Sequence, residues 1–562
     1  MEISPAQPIV QAGELPEQPP TTASSNHAPI LPLEIAEENT VTRTKTRLYL
    51  ILAAFYLSLF LAALDTTIVA QSIPTICADL HSAAGYVWIG GAYLLANATS
   101  GPIWSSISSV FGRKPVLLIA VTLFAISSII AALAHNMPML IAGRGLQGAA
   151  GGGLVQLSII TISDLFSVRE RSVYLGFSGF VWALAGSAGP LIGGAFTESA
   201  TWRWCFWINV PICVVTFGLM TVFLDVHNPR TKLSEGLRAI DWLGTFSILA
   251  ISLLILLGLD FGGTIAPWNS PKVICLVVFG AAMIGVFILT EQRVRYPMMP
   301  LAVFKSWSND AVFAVVVAHA MVLIGIEYYM PLYFQSVLQA SPIRSGVLLL
   351  PLIIVQAVGE LVAGYTIHLT GRYREFMWIG SLFLPLGSGL YILFGPDTSV
   401  AMLVGLLIIG ALGPGLLFQA PMAAIQNSVS QADTAAATAA LIFLRNIAMS
   451  LSVVVGGVVF QNSMDTQQTS LAAAGLSESV LEALSGSQAA ANVGIPKIIE
   501  DPQQRRAVLE AFSWSLRNIF ILYTGLSVVC TVASFFIKHQ NLRTEHTETK
   551  TGIQHLSKNE KS

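Results

Sequence analysis

The chain has 562 residues, of which 54% are hydrophobic and 11% charged, with a mean hydropathy of +0.69. Soluble proteins carry about a quarter charged residues, so this composition excludes an ordinary soluble multidomain enzyme. Five scattered cysteines make no disulfide framework, and a net charge of −2 gives no basis for binding nucleic acid. What remains is an all-α or barrel-forming polytopic membrane protein, and the question is how its few charges are placed.

Residues 1–47 read as an unstructured N-terminal tail, rich in Pro, Glu, Ser and Thr and without the basic-then-apolar pattern of a signal peptide. A membrane-crossing helix needs about 20 apolar residues, and fourteen such windows follow. Six lie at 48–70, 86–107, 115–133, 139–162, 173–196 and 206–224, predicting an N-terminal six-helix bundle over 48–224. Two more, at 242–259 and 273–290, stand alone over 242–290. The last six, at 312–334, 346–367, 376–393, 400–418, 435–460 and 519–537, predict a C-terminal bundle over 312–537, with an outside loop or short helical cap at 461–518 and a tail at 538–562. These runs are too long and too uniformly apolar for barrel strands, which alternate with period two. The fold class is all-α.

Orientation follows from the basic residues. With both termini in the cytoplasm, 20 of the 29 Lys and Arg fall inside and seven outside, while Arg144 and Arg445 lie within spans. A miscounted helix would invert every later loop, so this asymmetry supports an even number of spans.

The loop after the second span reads Gly112-Arg113-Lys114-Pro115, and the loop after the tenth reads Gly371-Arg372-Tyr373. Ser105 and Ser109 precede the first as Gly364 and His368 precede the second, a weak repeat separated by 259 residues. Such a repeat is expected of duplicated transporter halves. The loops stand eight spans apart rather than six, so two extra helices lie between the halves, which gives six plus two plus six.

Three further motifs complete the pattern. They are Leu64-Asp65-Thr66-Thr67-Ile68-Val69 with Pro74, Gly143-Arg144-Gly145-Leu146-Gln147-Gly148, and Gly189-Pro190-Leu191-Ile192-Gly193-Gly194. With Trp202–Pro211 and Asp241–Gly244 in the same order, the chain resembles the major facilitator superfamily. It is most similar to the fourteen-span drug:proton antiporter branch and, within it, to fungal multidrug and toxin efflux pumps. The resemblance covers about residues 45–540. It implies a proton-coupled exporter of amphiphilic small molecules (a toxin, secondary metabolite or drug) that works by alternating access and is not an enzyme. The proton gradient supplies the energy and no cofactor or metal is needed; no GxxxxGK[ST] run is present for ATP. Expected partners are a small-molecule substrate, protons and the lipid bilayer, with no nucleic acid and a monomeric chain. The plasma membrane is the expected location, with the vacuolar membrane as the other. A proton symporter importing, for instance, an iron chelate is the alternative function; the Gly189–Gly194 signature, tied to export, argues against it.

The resemblance assigns proton coupling to Asp65, Arg144 and Gln147, and gating to Gly189, Pro190, Gly193 and Gly194. Gly112, Arg113 and Lys114 form its cytoplasmic loop motif. An isolated carboxylate in hydrocarbon costs several kcal/mol, so Asp65 must face a cavity or a partner; Arg144 keeps its charge and needs a partner too. Glu327, Glu360 and Arg445 are the other charges well inside spans. The two glutamates read as a second proton site, a cationic-substrate site, or partners for Arg445. Asp164, Asp260 and Glu291 lie at span ends and read as interface charges, and His319 as a packed side chain. Trp88, Tyr93, Trp182, Tyr328 and Tyr329 are candidates to line an apolar pocket. The loop motif usually carries an Asp where this chain has Ser109 and His368, so a latch built on that carboxylate is weaker here or made differently.

Overall fold

The computed structural model describes residues 44–542 with residues 551 and 552, apart from breaks at 70–71, 81–84, 263–265, 295–298, 300, 432 and 491. The expected tails at 1–47 and 538–562 therefore lie mostly outside the described residues. Each expected span is helical. In chain order the long helices are α1 (Lys45–Ile68), α2 (Gly85–Phe111), α3 (Arg113–Ala132), α4 (Met137–Leu165), α5 (Val168–Ser199), α6 (Trp204–Phe223) and α7 (Trp242–Phe261). They continue as α8 (Pro271–Glu291), α9 (Trp307–Ser336), α10 (Pro342–Thr370), α11 (Arg374–Leu390), α12 (Val400–Ser428), α13 (Thr434–Ala473) and α14 (Pro502–Ser534).

Thirteen of these helices are long and apolar enough to cross a membrane. The remaining one, α2, has 27 residues and ample length at about 1.5 Å per residue. Asn97, Thr99 and five serines make it less apolar. It tolerates them because α4, α7 and α13 pack around it. Trp104 Nε1 donates to the Ala149 carbonyl at 2.8 Å and Ser105 Oγ to that of Ala435 at 3.3 Å, both in those neighbours, while Thr99, Ser100, Ser108 and Ser109 donate to carbonyls of α2 itself.

The packing repeats with an offset of eight helices. In the first half α1 packs on α4, α5 and α6, α4 packs on α2 and α3, and α3 packs on α6. In the second half α9 packs on α12, α13 and α14, α12 on α10 and α11, and α11 on α14. The pair α7–α8 is the insertion, packed on itself and resting through α7 on α2 and α13. Gly112 and Gly371, the two glycines of the sequence repeat, both end a helix with positive φ, +95° and +71°. A side chain would strain that backbone, which is why glycine stands at both.

The sequence boundaries fail at the far end of the second half. α13 continues past residue 460 to Ala473, and α14 begins at Pro502, capped by Asp501 through the Gln504 N–H at 3.0 Å. An apolar window misses these extensions because they are amphipathic. Short helices at Glu478–Ala483, Gly486–Ala489 and Ile495–Ile498 join them, so most of 461–518 is a helical cap over buried Leu471, Leu484, Val508 and Phe512.

Contacts between the halves run along α5–α10 and α2–α13, the two pairs that the repeat makes equivalent. Hydrogen bonds between the halves gather at the end that carries Arg113, here called the basic end. Arg169 donates to the last carbonyls of α10, at His368 and Leu369. Gln419 Nε2 donates to the Leu175 carbonyl at 2.9 Å, and Gln426 Nε2 to Ser163 Oγ at 3.0 Å. The halves are therefore closed on one another at the basic end.

Close approach in the first half rests on glycine. A Cβ on Gly148 of α4 would collide with the Tyr93 backbone of α2, whereas one on Gly145 meets open space. Gly148→Ala should then lower the melting temperature of the detergent-purified protein, at a cost of about 1–3 kcal/mol for overpacking. Gly145→Ala should leave it unchanged or slightly raised.

Candidate functional site

α1 places Asp65 about 30 Å from its start at the basic end, in the opposite half of the bundle. There it is fully buried, together with Arg144 and Gln147 from α4 and Asn209 from α6. Arg144 Nη1 donates to Asp65 Oδ2 at 2.5 Å. The other carboxylate oxygen accepts from Gln147 Nε2 at 2.7 Å and from Asn209 Nδ2 at 2.8 Å. Arg144 Nη1 also donates to Gln147 Oε1 at 2.8 Å, and its Nε to the Ile89 carbonyl of α2 at 3.0 Å. Ser128 of α3 closes the network, accepting from Gln147 at 2.9 Å.

Five helices thus contribute to one polar cluster in an apolar core. Each oxygen of Asp65 has a donor, so the cluster is built around an ionised carboxylate. Tyr93 lies under the Arg144 guanidinium, 4.4 Å from ring centroid to Cζ, and its hydroxyl donates to the Ala62 carbonyl of α1 at 3.0 Å. Tyr93 therefore serves this cluster and does not line an open pocket. Sequence reasoning brought Asp65, Arg144 and Gln147 together and gave no role to Asn209 or Ser128. The signal for Asn209 was present: it is the lone amide in the apolar run Phe206–Pro211.

The Gly189–Gly194 motif lies against the same turn of α1. Cβ atoms on Gly189 and Gly193 of α5 would collide with Thr67 and Ile68, so these glycines let α5 approach α1 directly after Asp65. Thr67 Oγ1 donates to the Ala185 carbonyl across that seam at 3.3 Å. Pro190 sits inside the helix, where its ring removes one backbone N–H. Gly194 faces open space and takes no part in the contact.

The loop motif has a carboxylate after all. Arg113 is buried, with Nε donating to Asp164 Oδ2 at 2.7 Å and Nη1 to Ser108 and Ser109 at 2.5 and 3.1 Å. Asp164, at the end of α4, is 3% exposed and is no interface charge. Glu291 is also buried and accepts from the Met299 N–H at 3.2 Å. The side chain of Asp260 is outside the described residues. Lys114 Nζ donates to the Thr221 and Leu224 carbonyls at 2.8 Å each and so caps the end of α6.

The second half holds a looser charged group. Glu327 on α9 and Glu360 on α10 both feel the charge of Arg445 on α13. Glu360 is 3% exposed, while Glu327 and Arg445 are half-buried. The Arg445 guanidinium lies 3.7 Å from the centre of the Phe418 ring. His319 is buried, and its Nε2 is 3.2 Å from the Pro414 carbonyl. Of the other aromatic candidates, Tyr329 is committed to packing, its hydroxyl on the Val453 carbonyl at 2.5 Å, whereas Trp182 and Tyr328 are exposed.

A two-fold repeated helical bundle with ionisable groups sealed at membrane depth defines a secondary transporter, not an enzyme. Residues 55–453 match the Major Facilitator Superfamily. Among curated proteins, the "MFS-type transporter ppz2" of Metarhizium majus is 42% identical over 526 residues, covering 93% of this chain and 90% of that protein. "Efflux pump dotC" of Dothistroma septosporum is 42% identical over 512 residues, 91% of this chain and 88% of its own length. "Efflux pump FUS6" of Gibberella moniliformis is 33% identical over 528 residues, 93% of each. Solved structures agree on the fold. The human organic anion transporter MFSD10 superposes with a TM-score of 0.56 at 15% identity, over 87% of this chain and 99% of that one. The proton:xylose symporter XylE gives 0.55 at 16%, over 88% and 96%. The chain belongs to the major facilitator superfamily and is a multi-pass membrane transporter of small molecules.

Truncating one partner of a buried pair leaves the other charge uncompensated, at a cost of about 3–5 kcal/mol. Asp65→Ala should therefore lower thermal stability strongly. Adding Arg144→Met should restore much of that loss, as a double-mutant thermal-melt series in detergent would record.

Proposed function

We propose that this transporter is a proton-coupled exporter of amphiphilic small molecules. The observation that carries the reading is the sealed Asp65–Arg144–Gln147–Asn209 cluster. A proton on Asp65 removes the charge that Arg144 needs and weakens the tie between α1 and α4. Because Gly189 and Gly193 seat α5 on the next turn of α1, the change is transmitted to α5, whose other end forms the α5–α10 seam. Protonation and substrate binding must favour different states, otherwise neither moves the equilibrium. The relatives named efflux pumps support the outward direction.

In this reading the basic end faces the cytoplasm, as the distribution of Lys and Arg implies, and the described state is closed to the cytoplasm. The protein acts as a monomer in the plasma membrane and uses no cofactor. Glu327 and Arg445, beside exposed Tyr328, are the groups proposed to meet polar parts of the substrate. A membrane potential of about 100 mV supplies about 2.3 kcal/mol per proton, enough for more than tenfold accumulation.

The test is transport by purified protein in liposomes under an imposed pH gradient, with a fluorescent lipophilic cation as the probe substrate. Wild type should accumulate the probe on the acidic side. Asp65→Asn should abolish gradient-driven accumulation, a loss of at least about tenfold, yet retain probe binding. Full gradient-driven transport by Asp65→Asn would refute the coupling role, and accumulation on the alkaline side would refute export.

A further inference from the structure

The seam between the halves holds a carboxylate that the Asp65 cluster does not explain. Glu360 of α10 lies where α10 crosses α5, and its carboxyl group fills the space left by Gly179: a Cβ there would collide with Glu360 Oε2. One turn away Gly176 faces the Glu360 backbone, and Gly364 faces the Ser172 carbonyl. The two helices touch here because α5 presents glycine to the acid.

Glu360 is 3% exposed, and its Oε2 has no hydrogen-bond partner among the described residues. One helical turn before it, Gln356 Oε1 is likewise a buried acceptor without a donor. Residues four apart share one face of a helix, and the Gln356 side chain does reach Glu360. The Gln356 amide carries N–H donors of its own that serve the ionised carboxylate, but Glu360 Oε2 stays buried without a partner, and a proton there removes the uncompensated charge.

Charges of both signs surround Glu360. From α13 comes Arg445, and from α9 come Glu327, within electrostatic reach of Glu360, and His319, within reach of Arg445. α12 has no titratable side chain, and those of α5 lie in its first two turns or its last. One guanidinium thus serves two carboxylates. Glu327 is half-buried, whereas Glu360 is sealed against α5 at Gly179. An ionised carboxylate buried with an oxygen unpaired carries a cost of several kcal/mol that a neutral acid avoids.

We propose that Glu360 is a second proton site and that its protonation closes the α5–α10 seam at the basic end. When Glu360 ionises, the seam must part to let water or Arg445 reach the carboxylate. The proton therefore binds the closed state more tightly than the open one, and by linkage lower pH favours closure. This deepens the proton-coupled reading and rests on it. Asp65 senses protons within the first half, and Glu360 senses them at the junction of the halves.

The experiment places spin labels at Glu170→Cys on α5 and Arg372→Cys after α10, both exposed positions at the basic end. The five native cysteines are replaced by alanine and the protein is held in lipid nanodiscs without substrate. Distance distributions are read between about pH 5.5 and pH 7.5. One coupled proton changes the closed-to-open ratio by up to about tenfold per pH unit. In an Asp65→Asn background the closed population should still rise at least about tenfold on acidification. Adding Glu360→Gln should hold the seam closed at both pH values, with a change below about threefold. Gln356→Met, which removes an amide that hydrogen-bonds the ionised carboxylate, should move the midpoint of the response to higher pH, and it serves should Glu360→Gln fail to fold. A pH response undiminished by Glu360→Gln, an open seam in that variant, or a midpoint unmoved or lowered by Gln356→Met overturns the proposal. The distances are read without substrate or gradient, so they fail independently of the transport assay.

Discussion

An ion pair removed from water by five helices is the constraint around which the first half is built. In a low-dielectric interior a charge without a partner is costly, and a pair is tolerated only when its remaining donors and acceptors are also satisfied. Asp65 and Arg144 meet that condition through Gln147, Asn209, Ser128 and the Ile89 carbonyl. The requirement fixes how α1, α2, α3, α4 and α6 sit relative to one another. It also makes the arrangement sensitive to one proton, because neutralising Asp65 leaves a permanently charged guanidinium with carbonyls and amides alone.

The other half of the proposed mechanism lies in the glycines. Gly189 and Gly193 bring α5 against α1, and Gly176, Gly179 and Gly364 bring α5 against α10. α5 therefore links the buried pair at one end of the bundle to the seam between the halves at the other. A helix interface without side chains at the contact has little capacity to deform, so it is either docked or parted. In the proposed mechanism, charged groups placed at such contacts convert a protonation into a choice between two states.

Much of this was legible in the sequence for physical reasons. The spans announced themselves because each helix must hide its backbone from lipid, which demands about 20 apolar residues at a stretch. The repeat was visible in Gly112 and Gly371 because only glycine suits the positive φ that ends both helices. Asp65 and Arg144 stood out because intramembrane charges are rare. Other features left no such trace. Asn209 and Ser128 are neutral, and their importance comes from distances between helices that spacing along the chain does not encode. Asp164 lay at a span end and looked solvated, until packing buried it against Arg113. The amphipathic continuation of α13 to Ala473 and the early start of α14 at Pro502 were hidden from an apolar window because they lie beyond the hydrocarbon.

The most direct test of the account is the protonation state of Asp65 itself. Infrared difference spectra of the protein in lipid, recorded between about pH 8 and pH 5, would show the carbonyl stretch of a buried protonated carboxyl group. The account predicts a low-pH band in wild type that is diminished in Asp65→Asn and that rises together with the change in distance between α1 and α4. A band of equal intensity in Asp65→Asn, or a wild-type spectrum without any protonated-carboxyl band over this range, would contradict it.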